Sequence, residues 1–358
     1  MKVDDFYLMF SSDCTAGSAS QVLSRKEASE TVTGRCWYRI RSGGEKYALL
    51  FSNLADGTFS DGKISRANDP GGEWDILSMR VGIALNPDIE PQKWITVSFD
   101  GDTVRHVMPS EVFCTDPFTL NARAGDVFCY EIKIRGSCYP YHEEIILPTN
   151  ILINEQWIAG REFPVPVMLG CNRPVSFRIG FLGDSITQGI GTEIDSYKHY
   201  VSKIAEGLPA NISIWNLGIG FARAMDAAAC GAWIQRAVRC DTVNICLGVN
   251  DLARKRTSSE ILHDLSKLVR YLKEAGCMAV LFTVPPFAQE GSDRKYWREI
   301  NYEIRSGSVK QADAIFDIAK VLSMPVPEEY LPRYKPHPDA EGCAAVAKAY
   351  LESGITFV

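Results

Sequence analysis

The hydrophobic and polar positions divide this chain into two parts of different texture. From Cys36 to about Ile153, apolar and polar residues alternate in short runs bounded by turn residues, as in Trp37–Arg41 and Tyr47–Phe51. Alternation with a period of two is typical of strands that bury one face. This part therefore predicts an all-β domain of the sandwich or jelly-roll type.

One turn in the first part has a specific signature. The dipeptide Asp100-Gly101 separates two apolar runs, residues 94–99 and 103–107. Asp-Gly is a preferred turn pair between antiparallel strands. The pattern predicts a β-hairpin here.

From Val175 onward, short apolar runs alternate with longer segments of helical periodicity. The predicted strands are residues 178–182, 212–216, 242–247, 278–284 and 314–318. The predicted helices are residues 197–208, 225–238, 258–275, 294–305 and 339–353. Regular β-α alternation indicates a parallel sheet with helices on both faces. Three prolines, Pro164, Pro166 and Pro174, mark the change of texture, so we expect domains at residues 1–172 and 173–358.

Composition narrows the class of protein. The chain has 358 residues, 46% hydrophobic and 23% charged, with 38 basic against 44 acidic side chains and a net charge of −6. The balance and the lack of a Lys/Arg block argue against a nucleic-acid partner. No signal-like or membrane-spanning apolar run is present, which predicts a cytoplasmic protein without a membrane partner. The sequence does not indicate the oligomeric state.

The cysteines and histidines do not suggest a metal site. The 11 cysteines are scattered singly, and no Cys-x-x-Cys pair occurs. No His-x-x-x-His pair or carboxylate cluster suggests a metal centre, and Gly218-Ile-Gly220 lacks the third glycine of a dinucleotide fingerprint. We therefore expect reduced thiols and neither a metal nor an organic cofactor.

Four strand-end loops of the predicted sheet carry reactive residues. They contain Ser185 in residues 183–189, Asn216 in residues 216–223, Asn250 in residues 248–251 and His337 in residues 336–342. Parallel strands end at the same edge of a sheet, so these loops should lie together. Acyl transfer needs a nucleophile, a base to take its proton and fixed donors for the oxyanion. These loops supply all three.

At this point the chain resembles the SGNH, or GDSL-type, hydrolase family of esterases and deacetylases. The resemblance is carried, in the family's order, by Gly183-Asp-Ser-Ile-Thr-Gln-Gly189, Asn216-Leu-Gly218, Gly248-Val-Asn-Asp251 and His337-Pro338. It covers about residues 175–355. It implies a five-stranded parallel sheet in a three-layer α/β/α sandwich.

The resemblance also implies roles for individual residues. Ser185 would be the nucleophile and His337 the general base. The backbone N–H of Ser185, an amide of Gly220 or Phe221 and the Asn250 side chain would form the oxyanion hole. Loop support would come from three residues, Asp184, Gly248 and Asp251. Structural readings stay open: Asn250-Asp251 could be a helix cap, His337 a turn histidine, and the glycines packing positions.

Two departures from the family pattern are visible. The family usually has an aspartate three residues before the histidine, where this chain has Tyr334. A backbone carbonyl near Lys335 could orient the imidazole instead, a carboxylate from Asp339, Glu329 or Asp317 could replace the acid, or activity could be weak or lost. The second departure is Phe221, which stands where the family often has glycine. It leaves open whether Gly220 or Phe221 donates.

Other residues are weaker candidates. His199, close in sequence to the serine loop, is the main rival base. Tyr197, Arg223 and residues 283–287 could line the substrate pocket.

The sequence thus predicts a serine esterase that uses an acyl-enzyme on Ser185. The β-rich first half resembles accessory modules that precede some carbohydrate esterases, which favours a short acyl or acetyl ester on a small molecule or carbohydrate. The alternatives are a lysophospholipase or thioesterase with the same mechanism, and a carbohydrate-binding protein with a degenerate hydrolase domain.

Overall fold

The structure is a computed structural model that describes residues 1–24, 26–27, 29–56, 68–87 and 89–355. The chain forms two compact units. The first comprises Met1–Ser176 and Ala210–Trp215, and the second comprises Phe177–Pro209 and Asn216–Val358.

The first unit is rich in β-structure, as the alternating pattern predicted. Its described elements, in chain order, are α1 (Val3–Met9), β1 (Ser11–Ser12), β2 (Val22–Leu23), β3 (Thr31–Arg39), β4 (Gly43–Ser52), β5 (Leu54–Ala55), β6 (Asp69–Pro70), β7 (Trp74–Ala84), β8 (Ile95–Thr96), β9 (Arg105–Val107), β10 (Val112–Cys114), β11 (Phe118–Arg123), β12 (Val127–Gly136), β13 (Pro140–Tyr141), β14 (Thr149–Ile153), β15 (Gln156–Ala159) and β16 (Met168–Cys171).

Two larger antiparallel sheets organise these strands. A seven-stranded sheet has the order β15-β14-β3-β12-β7-β8, with β9 also paired to β7. A five-stranded sheet has the order β1-β16-β4-β10, with β11 also paired to β4. In β12, Phe128, Tyr130, Ile132 and Ile134 are fully buried, so its alternating sequence marks one face turned to the core. The jelly-roll topology stays a prediction.

The hairpin predicted at Asp100-Gly101 is confirmed at its turn but does not extend over the predicted runs 94–99 and 103–107. The turn itself forms, with positive φ at both residues, and Phe99 and Asp102 exchange backbone hydrogen bonds of 2.7 and 3.1 Å. However, β8 and β9 each pair with β7. The turn dipeptide specifies a local reversal, whereas the longer strand β7 supplies the partner for both segments.

The part of the chain from Phe177 onward alternates strands and helices. Its elements are β17 (Phe177–Gly183), α2 (Ser185–Gln188), α3 (Tyr200–Glu206), β18 (Ile212–Gly218), α4 (Ala224–Ala228), α5 (Ala232–Ala237), β19 (Thr242–Cys246), α6 (Val249–Ala253), α7 (Ser258–Glu274), β20 (Met278–Phe282), α8 (Gly291–Arg305), β21 (Ala314–Phe316), α9 (Ile318–Leu322) and α10 (Ala340–Glu352).

These strands form the predicted five-stranded parallel sheet, in the order β18-β17-β19-β20-β21. Helix α10 packs against α3 and α9, while α7 packs against α4 and α8. No described helix has the length and apolar character needed to span a bilayer.

An aromatic cluster fixes α10 on the sheet. The ring of Tyr350 in α10 lies 5.8 Å from that of Phe181, 6.0 Å from that of Phe282 and 5.3 Å from that of Phe316. Its hydroxyl donates to Oδ1 of Asn244 in β19 at 2.9 Å. Since α10 begins two residues after Pro338, this packing also anchors the loop that carries His337.

One predicted helix is interrupted, and another begins at a well-defined cap. The predicted helix 225–238 is broken into α4 and α5, because Cys230 adopts a left-handed conformation with φ of 56°. The long helix α7 is capped by Thr257, whose hydroxyl accepts the Glu260 N–H and whose own N–H donates to the Glu260 carboxylate. This reciprocal pair of hydrogen bonds is a capping box.

Candidate active site

Ser185 lies two residues after the end of β17, at the first position of the four-residue helix α2. The Oδ1 of Asp184 accepts the Ile186 N–H at 2.9 Å and caps this helix. Asp184 is buried, whereas Ser185 is half-buried. The cap therefore holds the turn while the serine hydroxyl stays accessible.

The hydroxyl of Ser185 meets the imidazole of His337. Ser185 Oγ lies 2.8 Å from His337 Nε2, although the two residues are 152 positions apart in sequence. A Cβ on Gly191 would lie 2.8 Å from the carbonyl oxygens of both His337 and Pro338, so the serine loop and the histidine loop touch through backbone. Gly191 has φ of 104°, which few other residues adopt.

The second loop packs on the serine loop. A Cβ on Gly218 would overlap the backbone of Gln188, so only glycine permits this approach. The Asn216 side chain donates to the Thr187 carbonyl at 3.1 Å and accepts the Gly218 N–H at 2.9 Å. These contacts hold the end of β18 against α2.

Gln188 engages one of the two candidate amides of the second loop. Its Oε1 accepts the Gly220 N–H at 2.7 Å. Phe221 has φ of 64°, and its N–H has no hydrogen bond within the described part of the chain. The sequence prediction did not assign a role to Gln188, and its place at the end of the Gly183–Gly189 motif was the only available signal.

The third loop, after β19, completes the group. Asn250 Nδ2 donates to the Ala222 carbonyl at 3.1 Å, and Asp251 Oδ2 accepts the Ala224 N–H at 2.8 Å. Gly248 precedes α6 as its N-cap, with φ of 127°. An amide nitrogen carries two hydrogens, so Asn250 keeps one donor after this bond.

The three proposed acids are engaged in other contacts. Asp339 caps α10 by accepting the Gly342 N–H at 3.2 Å. Glu329 pairs with Arg298 at 2.8 Å, and Asp317 binds Arg305 and the Thr283 hydroxyl. Among the described residues, none hydrogen-bonds Nδ1 of His337.

Tyr334 occupies the position where an aspartate was expected. The Arg333 guanidinium lies 5.3 Å from its ring centroid, and its Cβ packs close to Gly342. Lys335 has φ of 76°, so the chain turns sharply between Tyr334 and His337. The local structure thus presents the histidine without a neighbouring carboxylate partner.

Residues 181–345 match the sequence model of the GDSL-like Lipase/Acylhydrolase family. This matched segment, the GDSL domain, carries the sequence pattern of that family. The sequence resemblance to GDSL-type hydrolases is therefore confirmed for the domain that holds Ser185 and His337. No curated protein matches the chain.

Solved structures similar to this chain include three esterases or lipases. The chain is similar to the acetylxylan esterase from Geobacillus stearothermophilus (20% identity, 52% of this chain, 97% of that chain, TM-score 0.40). It is similar to the psychrotrophic esterase EstA from Pseudoalteromonas sp. (19% identity, 51% of this chain, 98% of that chain, TM-score 0.40). It is also similar to a GDSL-like lipase from Bacteroides thetaiotaomicron (14% identity, 51% of this chain, 89% of that chain, TM-score 0.40). Similarity at this level does not extend to the substrate.

Burial tunes the ionisable groups of the GDSL domain. Desolvation lowers the pKa of His337, which favours a neutral imidazole able to accept a proton. Desolvation raises the pKa of Asp184 to about 7, and repulsion from Asp251 adds to the rise. Desolvation also raises the pKa of Asp251, against the hydrogen bonds from Ala224 and Arg256.

The rival base, His199, lies elsewhere in the GDSL domain. It is fully buried and caps α3, with Nε2 2.9 Å from the Ser202 hydroxyl. Burial lowers its pKa to about 3. The ring of Tyr197 lies 6.3 Å from the His199 ring.

Two predicted pocket residues also have clear positions. Arg223 forms a buried ion pair with Asp226 at 2.8 Å. The ring of Phe287 lies against the imidazole of His337, with ring centroids 5.1 Å apart and planes at 89°.

No group of three or more His, Cys, Asp or Glu side chains suited to a metal ion occurs in the ranges the structure describes.

Proposed function

We propose that the GDSL domain is a serine esterase with Ser185 as nucleophile and His337 as general base. The observation that carries this proposal is the 2.8 Å distance between Ser185 Oγ and His337 Nε2. This distance lies within the reach required for proton transfer. The contacts among the four loops support it, since they bring backbone and amide donors to the same edge of the sheet.

In the first half-reaction, Ser185 Oγ attacks the ester carbonyl carbon while His337 Nε2 takes the hydroxyl proton. The resulting oxyanion would accept hydrogen bonds from the N–H groups of Ser185 and Phe221 and from Asn250 Nδ2. The C–O bond to the alcohol then breaks, and His337 gives its proton to the leaving oxygen. An acyl-enzyme remains on Ser185.

Water completes the cycle. His337 takes a proton from the water as its oxygen attacks the acyl carbon, and a second tetrahedral intermediate forms. When this intermediate collapses, the bond to Ser185 Oγ breaks and His337 returns the proton to the serine. The products are a carboxylic acid and an alcohol, and the enzyme is restored.

We further propose a short acyl or acetyl group as the substrate's acyl part, on a small molecule or a carbohydrate. The β-rich first unit supports this substrate class only through its resemblance to modules of carbohydrate esterases. Lysophospholipids and acyl thioesters are the alternatives for the same chemistry.

Hydrolysis of p-nitrophenyl acetate tests the proposal. We expect Ser185→Ala and His337→Ala each to reduce kcat/KM by about a thousandfold or more. The nucleophile and the base act together, so the loss of either one disables the pair. Ser259→Ala and His263→Ala are matched controls, since both residues are exposed on α7. Rates should fall with acyl chain length if the acyl pocket is short.

A wild type no faster than Ser185→Ala on acetate, long-chain esters, thioesters and acetylated sugars would contradict the proposal. A fluorophosphonate label provides a second readout, because it should bond to Ser185 in the wild type and not in Ser185→Ala. Failure of both hydrolysis and labelling would favour a binding protein with a degenerate hydrolase domain.

A further inference from the structure

His337 has few restraints on its imidazole ring. In a serine triad a carboxylate binds Nδ1, which selects the tautomer and the ring orientation. Here Nδ1 has no hydrogen-bond partner among the described residues, while Nε2 faces Ser185. The aromatic contact of the ring is with Phe287, at 5.1 Å and nearly perpendicular. Perpendicular packing is a preferred geometry for two aromatic rings.

The loop that carries Phe287 is held firmly by α8. The Asn301 side chain accepts the Val284 N–H at 2.7 Å and donates to the Val284 carbonyl at 3.0 Å. The Trp297 indole N–H lies 2.9 Å from the Val284 carbonyl and 3.1 Å from the Pro285 carbonyl. Both side chains are buried, so the loop start has little freedom.

The end of the same loop is also held. The Phe287 N–H donates to Oε1 of Gln289 at 2.9 Å. Ala288, between them, has φ of 54°, which makes the loop turn immediately after Phe287. The ring of Phe287 is therefore presented from a backbone that is fixed on both sides.

Helix α8 supports the histidine loop as well. The Arg294 guanidinium stacks on the Tyr330 ring at 3.6 Å, and Arg298 binds Glu329 at 2.8 Å. Tyr330 and Glu329 belong to the segment that leads to His337. One rigid helix thus positions both the aromatic ring and the histidine.

We propose that Phe287 is a positioning residue that holds the His337 imidazole with Nε2 toward Ser185, in place of the missing carboxylate. The ring edge-to-face contact restricts rotation of the imidazole about its χ2 torsion and excludes water from that side. This inference rests on the proposed function for its catalytic meaning, but the position of the ring can be measured without catalysis.

Charged groups near His337 do not account for its lowered pKa. Lys335 and Asp339, its charged neighbours in the loop, lie 3.7 Å from each other as an ion pair. Burial is the cause of the lowered His337 pKa. Removing the Phe287 ring should admit water and let this pKa rise toward the ordinary value of 6.5.

Three variants test the proposal: Phe287→Ala, Phe287→Leu and Phe287→Tyr. Tyr302→Ala, which removes an exposed aromatic ring on α8, is the control. We expect Phe287→Ala to lower kcat by about ten- to a hundredfold with a smaller change in KM, since it disturbs the base more than binding. The acidic limb of kcat/KM should move to higher pH, because it reports the free enzyme's His337. Phe287→Tyr should restore the wild-type profile, with Phe287→Leu intermediate.

NMR titration of the His337 ring gives the second readout, with His337→Asn used to assign the signal. The Ala variant should show a raised His337 pKa and a smaller population of the tautomer protonated on Nδ1. An unchanged titration and an unchanged pH profile in Phe287→Ala would overturn the proposal, as would a change in KM alone. If the wild type hydrolyses no ester while the titration shifts as expected, the esterase proposal fails and the positioning role stands.

Discussion

Asp184 combines a structural role with an electrostatic cost. Its Oδ1 caps α2, whereas its Oδ2 is buried without a hydrogen-bond partner in the described ranges. Desolvation and the nearby Asp251 raise its pKa from 3.8 to about 7. The folded protein therefore binds a proton at this carboxyl more tightly than the unfolded chain does.

The pH dependence of stability should reveal this cost. The stability that protonated Asp184 contributes is fully present below about pH 4 and is lost as pH rises to about 7. Asp184→Asn keeps an oxygen for the Ile186 N–H and removes the charge. We expect the variant to match the wild type near pH 4 and to exceed its free energy of unfolding by about 2–4 kcal/mol at pH 8. Urea unfolding across this range measures the difference; a difference independent of pH would contradict the assignment.

At the scale of elements, α8 links two loops that carry functional side chains. Asn301 is fully buried and satisfies both backbone groups of Val284. Trp297 adds a further donor to the same carbonyl. Removing Asn301 would leave a buried N–H without its acceptor, which is costly in a protein interior.

We therefore expect Asn301→Ala to reduce the free energy of unfolding by about 2–3 kcal/mol, through the lost hydrogen bonds and the unsatisfied N–H of Val284. Tyr302→Ala, one position along on the exposed face, should change it by less than about 0.5 kcal/mol. Chemical denaturation of both variants provides the measurement. Equal effects in the two would show that the clamp on Val284 adds little.

The predictions from sequence succeeded where a pattern repeats over several elements. Parallel strands alternate with helices, so the sheet and its loop-bearing edge could be inferred from periodicity alone. The pairing of β8 and β9 and the break at Cys230 could not, because each depends on tertiary partners or on one residue's backbone angle. The choice between the Gly220 and Phe221 amides could not be predicted either. The acceptor of the Gly220 N–H is a side chain from another loop, Gln188.

At the scale of the whole molecule, the thiols are protected by packing. In the described ranges, which contain all 11 cysteines, no disulfide forms, and Cys138 and Cys230 are the partly exposed thiols. Burial raises the pKa of the Cys114 and Cys277 thiols to about 11 and that of Cys343 to about 12. Both effects suppress the thiolate, which is the reactive form.

Thiol titration with a disulfide reagent should therefore distinguish two classes. At pH 7.5 no more than two thiols per folded chain, those of Cys138 and Cys230, should react quickly with the reagent. Unfolding in guanidinium should expose all 11. Double substitution of Cys138 and Cys230 by serine should abolish the fast phase. Rapid reaction of additional thiols in the folded protein would show that the core opens more readily than its packing indicates.

The position of Tyr334 has a consequence for evolution. Codons for tyrosine and aspartate differ in their first base only, so a carboxylate three residues before His337 is a single point mutation away. If the pair of Ser185 and His337 is active by itself, genes encoding a dyad and genes encoding a triad are direct neighbours in sequence space. A population could then cross between the two catalytic designs without passing through an inactive ancestor.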